Sequence, residues 1–133
     1  MHRQLAILLV LSPCAAPRLA RAQDSTAAPY TTDQADRGQA VFRRICAQCH
    51  VVQQFSGPPF KAAWGGRPAF ELFEQIRTTM PNDNPGSLPR QQYADVIAYM
   101  LKLNGVTAGA AELPVDPDLL RRVLITPATD PRN

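Results

Sequence analysis

The residues of this sequence that could do chemistry are few and close together. Cys46, Cys49 and His50 fall in the run Cys46-Ala47-Gln48-Cys49-His50. Two thiols three positions apart on one helical turn can both reach the vinyl groups of one haem, and the imidazole beside them can reach the iron. Parts of the pattern serve other chemistries. A thioredoxin-type redox pair also uses C-x-x-C, but it sits in an alternating α/β pattern, which this chain lacks. A zinc site needs four ligands, and beyond residue 22 the chain offers only these two cysteines and this one histidine. A structural disulfide remains open for an exported chain. Together with the export signal and helical patterning described below, the run points to one covalently bound haem c, attached through Cys46 and Cys49 with His50 on the metal.

A single histidine cannot fill both axial positions, so bis-histidine ligation within the mature chain is excluded. Met80 and Met100 are the strong candidates for the second ligand. Met100 shares a helical stripe with Tyr93, Val96, Ile97 and Leu101, where methionine is ordinarily core filler. Met80 stands at a helix exit, before Pro81, in a Pro-rich loop able to fold over the second face of a flat ligand. Met80 is therefore the expected metal ligand, with Lys61, Lys102 or an open position as the alternatives.

The elements that must position these groups read as helices. Gly38, Val41, Phe42, Ile45 and Cys46 follow the i, i+3, i+4, i+7, i+8 spacing of one apolar helix face, with Thr31 and Gln34 placed as a capping box. Residues 53–66 read as loop, broken by Ser56-Gly57-Pro58-Pro59 and Gly65-Gly66. A second helix starts at Pro68, with Ala69, Leu72, Phe73 and Ile76 as its stripe. Residues 80–89 hold three prolines and a glycine and cannot be regular helix. Pro89 opens the clearest helix, and Gly105 ends it. In the Pro-rich segment beyond, residues 118–124 suit a short helix or an extended patch. No alternating strand pattern occurs, so the fold class is all-α. Each helix is apolar on one side, and each must pack on something.

The first 22 residues read as an export signal: His2 and Arg3, the apolar run of residues 5–11, then Ala20-Arg21-Ala22 before Gln23. Cys14 follows the apolar run where a lipoprotein signal places its lipidated cysteine, but Pro13 stands where that signal needs a small flexible residue, so Cys14 is expected to leave with the signal. Three of the 14 Lys and Arg residues precede the cut, and none of the 11 acids does. The mature chain is thus left with eleven of each. The apparent basicity belongs to the signal and is no argument for nucleic-acid binding. No apolar run approaches the roughly 20 residues of a membrane-spanning helix. With 133 residues the chain has room for one small domain and not for a large catalytic fold. The expected organisation is a signal peptide over 1–22, a flexible lead-in over 23–30, one domain over 31–105 and a Pro-rich tail over 106–133.

The sequence over 31–105 resembles the class I cytochromes c. Gly38 and Phe42 are similar to the small and aromatic residues of that family's first helix, and Tyr99 to the aromatic of its last. Gly57-Pro58 resembles the Gly-Pro whose carbonyl accepts a hydrogen bond from the ligand histidine, which makes Pro58 a haem-site residue by resemblance. Met80-Pro81 resembles the methionine loop, and residues 80–88 look most like small periplasmic cytochromes associated with dehydrogenases, including quinoprotein ones. The resemblance implies a single-domain cytochrome c fold, with helices packed around one haem. Trp64 is a candidate to line that haem and send its indole N–H to a propionate, with core packing as the alternative. Arg67 could neutralise a propionate, although a solvated arginine is the simpler reading.

Function follows from ligation. A haem held by His and Met has no open position for substrate, and a methionine ligand favours ferrous iron. The expectation is a periplasmic one-electron carrier, not an enzyme. It would take electrons from a periplasmic dehydrogenase and pass them to an oxidase or another cytochrome, with no nucleic-acid partner and no transmembrane anchor. The alternatives are a haem subunit dedicated to one dehydrogenase complex, with the tail as docking segment, or a ligand-binding or catalytic haem protein with a labile sixth site.

Overall fold

A computed structural model describes residues 29–127. The export signal and Cys14 lie outside the described residues. Among the described residues there are five α-helices: α1 (Thr32–Arg44), α2 (Gly57–Trp64), α3 (Ala69–Thr79), α4 (Arg90–Leu103) and α5 (Pro117–Arg122). Two single turns of 3-10 helix, Cys46–Gln48 and Val52–Phe55, connect α1 to α2. Among the described residues there are no strands, only one isolated bridge between Pro68 and Leu124.

The most extensive helix contact is α1 on α4, and its geometry is set at Gly38. A Cβ there would lie 1.8 Å from the carbonyl oxygen of Asp95 and 2.4 Å from its carbonyl carbon. Only the absent side chain lets the two backbones approach this closely. The expected face of α1 is buried at Gly38, Val41 and Phe42, and Gln34 and Ala35 join it. On α4 burial exceeds the stripe: every residue from Tyr93 to Leu101 is buried. The helix is central, and its polar member is paired. Arg37 donates to both carboxylate oxygens of Asp95 at 3.2 Å, and Gln91 Nε2 donates to one of them at 2.9 Å. Asp95 is thus a structural ion-pair residue joining α4 to α1, with its burial offset by three donors.

The C-terminus of α4 closes as a Schellman motif. Val106 N–H donates to Leu101 O at 3.1 Å, Gly105 N–H donates to Lys102 O at 3.2 Å, and Gly105 has φ 75°. Asn104, buried at this end, ties three segments together. Its Nδ2 donates to Phe55 O and Met100 O, and its Oδ1 accepts from Gly57 N–H at 3.0 Å.

Three stretches differ from the sequence expectation. Residues 57–64, expected as loop, form α2. Pro58 and Pro59 occupy its first turn, where an N–H has no intrahelical partner to lose, so these residues start a helix as readily as they break one. Tyr30, assigned to a flexible lead-in, is 2 % exposed; its hydroxyl donates to Val106 O at 2.6 Å and its carbonyl accepts from Gly109 N–H. Only half of the expected capping box forms. Thr31 Oγ1 accepts from Gln34 N–H, while the Gln34 side chain turns to the tail, donating to Leu113 O at 3.0 Å and accepting from Leu113 N–H at 2.7 Å.

The described part of the tail is a strap on the body. Asp116 caps α5 by accepting from the N–H groups of Asp118 and Leu119. Residues 123–125 then run beside the start of α3: Ala69 N–H donates to Val123 O, Ile125 N–H to Arg67 O and Gly66 N–H to Ile125 O, all between 2.7 and 2.9 Å. Leu113, Leu120 and Ile125 are fully buried in the main core. Leu120→Ala should therefore destabilise the holoprotein by about 2–5 kcal/mol in denaturant unfolding. Its visible spectrum should stay unchanged, because α5 contributes nothing to the cavity described next. A cost under about 0.5 kcal/mol would show that the strap is not part of the core.

Candidate haem site

Helix α1 delivers the Cys-x-x-Cys-His run. The helix ends at Ile45, and the chain tightens into one 3-10 turn in which Cys49 N–H and His50 N–H both donate to Cys46 O, at 3.2 and 3.0 Å. Gln48 Nε2 donates to Arg44 O and satisfies one of the carbonyls left over at the helix end. Both thiols are free, Cys46 half-buried and Cys49 exposed. No disulfide joins them in this structure. Burial pushes the Cys46 thiol above the ordinary cysteine range.

The tautomer of His50 follows from its neighbours. Gln54 Oε1 accepts from Val51 N–H at 3.1 Å, so this atom is the amide oxygen, and it lies 3.2 Å from His50 Nδ1. Nδ1 must then carry the proton, leaving the Nε2 lone pair for a metal. Phe55 packs edge-on against the imidazole at 5.2 Å between centroids, and Phe42 in turn packs edge-on against Phe55. Gln54 was not legible as a functional residue in the sequence. In this structure the atom beside His50 Nδ1 is the Gln54 oxygen. Pro58 is exposed in the first turn of α2 and does not line the cavity.

Met80 arrives from another segment. Its N–H donates to Ile76 O at 2.8 Å and closes α3, and its carbonyl accepts from the Tyr93 hydroxyl at 2.9 Å. The same hydroxyl accepts from Leu88 N–H at 3.3 Å, tying the far end of the loop. Tyr93 is 1 % exposed, with its ring against Phe73. Sequence periodicity marked it as core and gave no signal of this polar role.

Cys46, Cys49, His50, Trp64, Met80 and Met100 all line one cavity of about 950 Å³. Between them the wall is largely apolar, with Phe60, Leu72, Ile76 and Val96. Among the described residues, no three His, Cys, Asp or Glu side chains form a group that could hold a metal ion. Cys46, Cys49 and His50 come from one turn and Met80 from another segment of the same wall, so a ligand that meets all four must span the cavity. The volume is at the upper end of the roughly 300–1,000 Å³ range of cofactor sites. The residues present fit a haem: an apolar cleft of sufficient size, two free thiols, an imidazole with a free lone pair, and a thioether.

The remaining candidates divide. Met100 is 3 % exposed on α4 and belongs to the core, while Met80 is half-buried at the loop. Lys61 and Lys102 do not line the cavity, and Lys102 donates to Asp36 at 2.7 Å. Trp64 is half-buried on the wall. Arg67 lies outside the wall, with its guanidinium 4.5 Å above the Trp64 ring and bonded to Glu71 and Ala63 O. It is an exposed, paired arginine.

Among the described residues no helix is long and apolar enough to cross a membrane. In comparisons with known proteins, neither the curated proteins nor the solved structures gave a significant match. The family model described as cytochrome C oxidase, cbb3-type, subunit III matches residues 33–100, from the first turn of α1 almost to the end of α4. That span contains the C-x-x-C-H turn, the methionine loop and the crossing at Gly38. It supports an all-α cytochrome c fold, covalent haem c and electron transfer rather than enzymatic catalysis. The chain belongs to this family of c-type cytochrome domains.

Proposed function

We propose that the protein is a mono-haem periplasmic carrier of single electrons, linking a dehydrogenase to an oxidase or another cytochrome. In this reading Cys46 and Cys49 hold the haem, and His50 and Met80 ligate its iron. The observation that carries the proposal is that all four side chains line a single cavity. When bound, the haem would supply a centre that gains and loses one electron.

The chain's own residues supply the rest. The 3-10 turn holds both thiols and the imidazole in one short segment. Gln54 fixes the imidazole with Nε2 free, and a hydrogen bond to the other ring nitrogen raises the basicity of a ligand histidine. Phe42, Phe55, Phe60 and Leu72 keep water from the inner wall. Tyr93 holds the backbone of Met80. Rigid support of this kind keeps the site the same in both charge states.

Export rests on the N-terminal pattern, and one measurement reads it together with attachment. The intact mass of the protein from the periplasm should equal residues 23–133 plus one haem. Changing Cys46 and Cys49 together to Ala should remove the haem from the denatured chain on a gel. A wild-type mass without haem, or one that begins at Met1, would sink the corresponding part. The reading as a fixed oxidase subunit rests on the name of the matched family. Of the described tail, Leu113, Leu120 and Ile125 are buried in the core, while Leu119 and Leu124 are exposed.

A further inference from the structure

The surface around the mouth of the cavity is unusual in charge. Of the residues lining the cavity, those exposed to solvent include Gln48, Gln75, Thr79, Asn82, Asn84 and Ser87, all amides or hydroxyls. Asp83 is the one charged residue on the wall. Elsewhere several of the charges are paired: Arg37 with Asp95 and Glu112, Arg67 with Glu71, Arg77 with Glu74, Lys102 with Asp36, Arg121 with Asp118. None of these lines the cavity. Arg43 and Arg44 are exposed in the last turn of α1, off the wall.

We propose that this mouth is the docking surface for a redox protein whose own contact face is uncharged, and that the encounter is not steered by charge. The inference rests on the electron-carrier reading. Electron transfer weakens steeply with distance, so a partner must sit over the opening of the cavity rather than over the helices that wall it. At that opening the chain offers hydrogen-bond donors and acceptors together, which suit neutral polar groups. An acidic or basic ring would find no matching charges to offset the loss of its own hydration. The one side-chain carboxylate on the wall gives little long-range field at physiological salt, where the screening length is about 8 Å.

The test uses reduced holoprotein in stopped flow, oxidised in parallel by anionic hexacyanoferrate(III) and by cationic tris(phenanthroline)cobalt(III). Between about 10 mM and about 500 mM salt, each rate should change by less than about threefold. Asn84→Lys should make the anion several-fold faster and the cation slower at low salt. Ala111→Lys, an equal charge at an exposed site off the wall, should change neither. A wild-type rate with the anion that falls about tenfold with salt overturns the proposal in favour of an approach by way of Arg43 and Arg44. The same fall with the cation overturns it in favour of a basic partner. Equal responses of the two lysine variants would show that electrons do not pass at this mouth. A reduced protein that neither probe oxidises overturns the carrier reading instead, and this proposal with it.

Discussion

Met80→Ala is expected to lower the reduction potential by about 0.1 V or more, a fraction of the roughly 0.8 V that axial ligands span. The oxidised variant should also lose the weak near-infrared band of ferric methionine ligation, and the reduced one should bind carbon monoxide. The expectation depends on the assignment of Met80 to the iron, which a count of histidines and the shared cavity support. The backbone effects should be small, because the bonds that Met80 makes within the fold run through its N–H and carbonyl and survive the substitution. Met100→Leu is the control. Met100 lines the same cavity but is 3 % exposed on α4, and a volume-conserving swap there should cost less than about 1.5 kcal/mol and leave band and potential intact. Loss of the band in Met100→Leu with retention in Met80→Ala would reverse the assignment. Absence of the band from the native protein would favour a ligand-binding haem.

Gly38→Ala should be the most damaging single methyl group in the molecule. Its Cβ would stand 1.8 Å from a backbone oxygen of α4, and backbone on both sides leaves no flexible side chain to yield. The two helices must separate, which also pulls Arg37 away from Asp95. Overpacking ordinarily costs about 1–3 kcal/mol, occasionally more; here the rigid contact puts the expectation at about 3 kcal/mol or above. Against a typical domain stability of about 5–15 kcal/mol, the yield of folded holoprotein should fall visibly. Ala40→Ser, exposed on the same helix, should stay within about 0.5 kcal/mol. Equal unfolding midpoints for Gly38→Ala and wild type would show that the crossing tolerates a side chain.

The features legible in the sequence were those written locally. The C-x-x-C-H run, the apolar faces of α1, α3 and α4 and the stop at Gly105 depend on spacing within a few residues. What stayed hidden depends on long-range partners. Gln34 has the sequence context of a capping residue, and its use as a bracket for Leu113 requires the tail to lie beside α1. Asp95 and Asn104 look like surface residues until Arg37, Gly57 and Phe55 are brought to them. Helix α2 was missed because Gly-Pro-Pro signals a break and a first turn alike. Gln54 could have been found from its position four residues after His50, within reach of the ring when the chain turns tightly. The resemblance pointed to Pro58 instead.

The hydroxyl of Tyr93 serves both ends of the loop from Met80 to Leu88, giving its proton to one carbonyl and receiving one from the other end. One side chain of α4 therefore holds both ends of the segment, beside the packing of Leu88 on the core. Removing that hydroxyl would take away two hydrogen bonds, worth together about 1–3 kcal/mol, and leave the packing of Leu88 in place. One buried oxygen thus couples the position of Met80 to the far end of its own loop.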